Sequence, residues 1–413
     1  MTVSTGEAVL LEWMDARAAD VLDFARRLIA TPSINPGGDE RAAAACVEAE
    51  LRRLGIEDVR RVGPSDERPS VIARVPGSAP GPVLMLCGHL DTKPPGDMAA
   101  WRTDPFDPVI VDGELIGLGS GDMKAAVAAM VYAAAALVEN PGHAGELLLV
   151  FTADEEAGSA HGAKWLAENG VLVADVAVLG EPCGVVREWE AIDVVSRGAA
   201  LFKVKVFGTQ MHSSISDRLP AVNASLKMAR LMDRMDRRLK DELTFKPHPL
   251  VERGPTVNIG VVVSGGVFYG VYPGYGEFAC DIRTLPGMTE EQIVADLERF
   301  LAEAMADDPE LRAELAFEIF VPATEIATDE PIVAALQEAA ALVLDEPPAL
   351  DAFPGATDAA HIQLTAGIPT VAAFGPGFLP RAHSPNESLP ADSVADAARI
   401  YALASARYLS RPA

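Results

Sequence analysis

Three adjacent acids, Asp154, Glu155 and Glu156, close an apolar run in the stretch ELLLVFTADEEAG, residues 146–158. A short continuous apolar run reads as a strand buried on both faces. Acids do not continue such a strand, because burying unpaired carboxylates is prohibitive. They fit where the strand ends in a cleft beside cations, which in an open α/β sheet is where ligands bind. Two adjacent carboxylates can divide labour there, one holding a metal and one moving a proton. Taken alone, the segment also reads as a solvated acidic turn.

The rest of the chain repeats the pattern. His89 follows VLMLCG, Glu181 follows VAVLG, and His383 follows a loop after VAAF. Asp122 stands in a glycine-rich turn before an Ala-rich helix. Imidazole plus carboxylate without thiolate suits Zn2+, or Co2+ and Mn2+. Five ligands, one of them bridging, would fit two divalent ions about 3.5–4 Å apart. Cys87 reads as a packed core thiol rather than a ligand. His143, in the turn Asn140-Pro141-Gly142, is expected to be exposed, and His161, His248 and His361 to be structural.

The elements that must position these residues follow from length and pattern. At 413 residues the chain exceeds the usual size of one core, so two domains are expected. Hydrophobic residues make up 49%, enough for full cores. The net charge of −26 repels nucleic acid and anionic membranes, so neither is an expected partner. The apolar run 125–138 is shorter than the roughly 18 to 20 residues of a membrane span and reads as a buried helix. The N-terminal stretch lacks a basic region, so no signal peptide is expected. Four scattered cysteines without a CxxC pair read as free thiols of a reducing cytoplasm.

Apolar positions from Leu10 to Ile29 predict one N-terminal helix, followed by an Ala-rich helix over 39–55. Strands are predicted over 70–75, 83–87, 147–151 and 173–179, with helices from 125 and over 160–168. Between them, residues 93–121 form a long irregular segment of the kind that is usually functional. Strands and helices alternating with short connections predict an α/β domain with a mostly parallel sheet and helices on both faces.

From residue 196 the texture changes. Leu201, Lys203, Lys205 and Phe207 alternate with Phe202, Val204 and Val206, as in a half-exposed strand. A polar-faced helix over 217–240, strands over 256–263 and 275–285, a helix over 289–305 and a strand over 315–320 suggest a smaller α+β lobe. The first texture then returns, with a buried strand over 368–374 and a final helix over 392–409. The expected domains are therefore 1–195 and 321–413 for the α/β part and 196–320 for the inserted lobe.

Five motifs in order, GHLDT, GLGSGDMK, TADEEAGS, LGEP and AHSPNE, resemble the M20 family of metallopeptidases and amidohydrolases. That family includes acetylornithine deacetylase, succinyl-diaminopimelate desuccinylase, aminoacylase-1 and glutamate carboxypeptidase. The resemblance covers nearly the whole chain, including GTQMHSS in the inserted lobe. It implies that His89 and Glu181 hold one metal, Glu156 and His383 the other, and that Asp122 bridges them, with a cis peptide after it. Asp91 would orient the His89 imidazole through its carboxylate. Glu155 would be the general base, taking a proton from the attacking water and returning it to the leaving amine. The resemblance also implies a homodimer in which His212 reaches the partner's site and stabilises the oxyanion. It matches Arg283 to the residue that binds the substrate carboxylate, a task suited to a planar fork, and Thr357 to a substrate-side position.

Two departures stand out. Gly270 occupies the place of a usual Asn, and Glu188-Trp189-Glu190 matches no specificity signature. The implied activity is hydrolysis of the amide bond of a small N-acylated amino acid, since Glu at 181 resembles deacylases and carboxypeptidases. The alternative is a metallo-carboxypeptidase or dipeptidase acting on short peptides. A non-catalytic binding protein on this fold is disfavoured by the presence of Glu155.

Overall fold

The apolar runs that end in acids and histidine form the middle of a six-stranded sheet in the computed structural model, which describes residues 4–411. Residues 1–3 and 412–413, at the outer ends of the expected first and last domain segments, lie outside the described residues. The chain divides into two compact units. The first comprises Met1–Val195, Glu325–Phe353 and Thr357–Ala413, and the second Ser196–Thr324 and Pro354–Ala356.

In the first unit the strands lie in the order Val59–Val62, Ser70–Pro76, Glu146–Thr152, Val83–His89, Val176–Leu179 and Thr370–Val371. The last three joins are parallel and the first two antiparallel. Parallel register sets His89 beside Thr152 and Cys87 beside Leu179. The chain therefore leaves three neighbouring strands at the same edge, at His89, Glu155-Glu156 and Glu181.

Burial on both faces explains the continuous apolar runs. On one face Met85, Cys87, Leu148, Val150 and Leu179 pack against Ala163 and Leu166 of helix Ala163–Glu168 and Ala359 and Ile362 of helix Ala359–Leu364. Helices Ala125–Glu139 and Asp392–Leu409 pack against each other and on the sheet. The segment Ser120–Glu139 is long and apolar enough to cross a membrane, but 94% of its apolar window is buried within the structure.

Several elements differ from the expectation, each for a local reason. The N-terminal helix is two helices, Thr5–Asp15 and Ala18–Ile29. Arg17 stacks over Trp13 and its guanidinium donates to the Trp13 carbonyl, an acceptor that a continuous helix would use itself. The predicted helix over 217–240 begins only at Ala224, past Pro220, where the Asn223 side chain accepts from Leu226 N. Residues 93–121 carry a small hairpin, Val109–Val111 with Glu114–Ile116, which Ser388–Pro390 extends. His143 is buried, not exposed, and neither ring nitrogen has a hydrogen-bond partner among the described residues. Its carbonyl accepts from Ser78 N and Oγ, which folds the turn inward.

The second unit is an antiparallel sheet in the order Thr256–Gly265, Tyr275–Thr284, Gly198–Phe207 and Arg312–Val321. Helices Ala224–Glu242 and Glu290–Asp307 cover it. Phe202, Val204 and Val206 are buried and the residues between them half-exposed, as the alternation predicts.

Candidate active site

Two imidazoles, one at the end of strand Val83–His89 and one in the turn after Leu379–Arg381, face opposite oxygens of one carboxylate. His89 Nε2 lies 2.9 Å from Asp122 Oδ1, and His383 Nε2 lies 3.1 Å from Asp122 Oδ2. Glu181 Oε1 is 3.9 Å from His89 Nε2, and Glu156 Oε1 is 3.1 Å from His383 Nε2. His89, Asp122, Glu156 and Glu181 are buried, while His383 is on the open side. His89, Asp122 and Glu156 each offer a ligand atom within 4.8 Å of the others, so they could hold a metal ion. His89 Nδ1 faces the Asp91 main-chain carbonyl at 3.0 Å. A carbonyl only accepts, so Nδ1 is the donor and Nε2 is left for the carboxylate side.

The electrostatics follow from crowding. Burial pushes Asp122 up, but hydrogen bonds from His383 and His89 outweigh it and hold its carboxyl well below the usual range. Burial is also the main force raising Glu155 and Glu181, with neighbouring carboxylates adding to it and His89 opposing.

The loop that presents Asp122 is held from outside the sheet. Gly119 N donates to Glu387 Oε2 at 3.0 Å, and Gly121 N and Asp122 N donate to Oε1 at 2.9 and 3.0 Å. The peptide between Asp122 and Met123 is cis, as the motif resemblance implies. Met123 lies over Gly88, where a Cβ would meet its Cε at 2.6 Å. The buried Lys124 ammonium donates to Thr31 O at 2.7 Å.

Asp91 meets His89 through its main chain as well as its carboxylate. Its carboxylate is 3.6 Å from His89 Nδ1, whose hydrogen bond goes to the Asp91 main chain instead. The carboxylate accepts from Glu155 N at 3.2 Å, Glu156 N at 3.1 Å and Asn35 Nδ2 at 2.8 Å. It therefore fixes the turn Glu155–Ala157. Asn35 Nδ2 also donates to Asp154 Oδ1 at 2.9 Å, and Arg68 joins Asp154 to the buried Glu40. Asp154, counted among the three acids, is thus a structural anchor, which His161 completes at 2.9 Å.

Among the expected site residues, His89, Asp91, Asp122, Glu155, Glu156, Glu181 and His383 come together in the first unit. Thr357 belongs to that unit too; its hydroxyl accepts from Ala359 N at 3.2 Å. His212 and Arg283 belong to the second unit. His212 is exposed, its Nδ1 2.7 Å from Ser214 Oγ, and Arg283 donates to Asp281 Oδ2 at 2.9 Å. Asn35, Arg68 and Glu387 were not singled out from the sequence. Only the AHSPNE motif carried a signal for one of them, Glu387.

Comparison with known proteins follows the same lines. The description Peptidase family M20/M25/M40 matches residues 85–407. A succinyl-diaminopimelate desuccinylase of Phenylobacterium zucineum (strain HLK1) is 30% identical over 407 residues, 95% of this chain and 99% of the relative. One from Stenotrophomonas maltophilia (strain R551-3) is 36% identical over 222 residues, 52% of this chain and 57% of the relative. Among solved structures, the di-peptidase Dug1p of Saccharomyces cerevisiae has the same fold, with a TM-score of 0.77 at 16% identity over 100% of both chains.

The Glu387 contacts give a test. Glu387→Ala leaves three main-chain N–H groups without their acceptor and is expected to lower stability by at least about 2 kcal/mol. Glu387→Gln, which keeps one acceptor oxygen, should lose less. Urea unfolding of both variants measures this, and an Ala variant as stable as wild type would show that the loop does not depend on Glu387.

Proposed function

Because the chain belongs to peptidase family M20/M25/M40 and is a hydrolase of amide bonds, we propose that it is a dinuclear metal hydrolase that removes the acyl group from a small N-acylated amino acid. The observation that carries this reading is the Asp122 carboxylate, which turns one oxygen to each of two imidazoles. Two nitrogen and three carboxylate ligands without thiolate fit divalent ions, with Zn2+ the first choice and Co2+ or Mn2+ the alternatives. His89 and Glu181 would hold one ion, Glu156 and His383 the other, and Asp122 both. Such ions, when bound, polarise a carbonyl and make water acidic near neutral pH.

The chain's own groups then do the positioning and the proton work. Glu155 is fixed by the Asp91 carboxylate through its main chain. It takes the proton of the attacking water and hands it to the leaving amine nitrogen. Arg283 binds the substrate carboxylate with its planar fork, oriented by Asp281. Thr357 lines the substrate side. The name of the full-length relative supports an acyl substrate and puts N-succinyl amino acids first.

The reading includes a homodimer formed through the second unit, with His212 donating to the oxyanion in the partner's site. Its support is the edge strand Thr256–Gly265, on which Val261, Val262 and Val263 are exposed, and the exposed tip Val267, Phe268 and Tyr269.

Two experiments test this function. A panel of N-succinyl, N-acetyl and longer N-acyl amino acids beside dipeptides, with added Zn2+, Co2+ or Mn2+, should show turnover of the acyl compounds; turnover of dipeptides alone would replace the reading with a dipeptidase. On the best substrate, Glu155→Gln should lower kcat at least about 100-fold with metal content intact, whereas Glu156→Gln should lose metal. Unchanged turnover in the first variant contradicts the base assignment. For the dimer, subunit exchange between inactive His212→Ala and Glu155→Ala chains should restore activity; verified exchange without recovery rules out the trans role of His212.

A further inference from the structure

Lys93 stands beside the gathered carboxylates and has no part in the assignments above. It follows Asp91-Thr92 and precedes Pro94-Pro95. Thr92 is held on both sides, its N–H donating to Ser33 O at 3.0 Å and its carbonyl accepting from Asn35 N at 2.8 Å. Pro94 confines the Lys93 backbone to extended conformations, so the main chain delivers the side chain to one place. There the ammonium lies 3.2 Å from Glu156 Oε2 and also donates to the Glu156 main-chain carbonyl. A primary ammonium has three donors, and these two contacts leave one to spare. The side chain is 34% exposed, so a bound molecule can reach it.

Cations that neighbour the centre through Asp154, Asp122 and His383 are otherwise committed. Arg68 is spent on Glu40 and Asp154, Lys124 is buried and donates to Thr31 O, and Arg381 pairs with Glu114. Beside these, Lys93 combines a spare donor with access. Its position also sets how far from the reacting carbonyl a partner would lie. Glu156 turns Oε1 to His383 Nε2 at 3.1 Å and Oε2 to the ammonium. The ammonium is therefore one carboxylate's width from the ligand positions. An acyl group attacked there would bring to Lys93 whatever it carries two methylenes beyond its carbonyl. The carboxylates of Asp122, Glu155, Glu156 and Glu181 repel an anion brought to that place unless a cation meets it.

We propose that Lys93 reads a terminal carboxylate on the acyl group and so selects monoamides of short dicarboxylic acids, N-succinyl amino acids foremost, over neutral acyl groups of the same shape. The carboxylate accepts from the spare N–H while Lys93 keeps its hold on Glu156. The two carboxylates of such a substrate go to separate cations, that of the amino acid to Arg283 and that of the acyl group to Lys93. Lys93 is thus a specificity residue, which touches the substrate and takes no part in the proton transfers. The proposal rests on the deacylase reading above.

The test compares an N-succinyl amino acid with its N-succinamoyl counterpart, in which a neutral carboxamide replaces the terminal carboxylate without changing the shape. Wild type should favour the succinyl compound in kcat/KM by at least about tenfold, the worth of a hydrogen bond between charged groups, and Lys93→Met should lose most of that preference. Met keeps the apolar stem and removes the charge. Both substrates are measured on one preparation, so the ratio cancels any change in metal content or folded fraction that a new neighbour of Glu156 brings. A wild type without the preference overturns the proposal whatever the variant does, and so does a preference that survives in Lys93→Met. Turnover of neither acyl compound sinks the deacylase reading and this proposal with it; turnover of both with equal efficiency sinks this proposal alone.

Discussion

The structure depends on holding Asp91, Asp122, Glu155, Glu156 and Glu181 together at one edge of a buried sheet. Like charges so placed repel, and each loses hydration. What offsets this is specific. Two imidazoles face Asp122, main-chain N–H groups of Glu155 and Glu156 face Asp91, and an ammonium faces Glu156. Glu387 adds a further carboxylate, satisfied by three N–H groups of the glycine-rich loop. A fold would not gather acids in this way for stability alone, because apolar packing at a strand end costs less. The arrangement is understandable as a site kept ready for cations, with part of the stability given up to it.

How the acids are gathered was partly legible in the sequence. Apolar runs of four to seven residues that stop at His89, Glu155 and Glu181 mark parallel strands whose ends share an edge, and the register bears out that geometry. Alternation at Phe202, Val204 and Val206 likewise marked a sheet with one covered face. What pattern could not reach were interactions between residues distant in sequence. Glu387 accepts from N–H groups more than 260 positions away, and Asn35 joins Asp91 to Asp154 across 56 and 119 positions. Neither residue type stands out locally, since Asn before Pro reads as a turn and Glu near Ser and Pro as surface. The His143 turn reads as exposed for the same reason: only the distant Ser78 folds it inward. Where local side-chain chemistry competed with the helix, as Arg17 does at the Trp13 carbonyl, periodicity alone overran the break.

In the first unit Glu155 and Glu156 differ by one residue, and the Asp91 carboxylate accepts from the main-chain N–H of both, so a single turn sets the two side chains. Positions set by strands and by main-chain hydrogen bonds move little, which suits groups that must act on a shared substrate atom. The second unit presents exposed apolar surface along an edge strand together with His212 and Arg283, residue types that donate to oxyanions and carboxylates.

The central claim is that Asp122 stands between two metal positions. Crystals grown with Zn2+ and measured on both sides of the zinc absorption edge test it most directly. The account predicts two anomalous peaks per chain, one contacted by His89 and Glu181, the other by His383 and Glu156, with an Asp122 oxygen on each. A single peak, or two peaks that do not share Asp122, would contradict it.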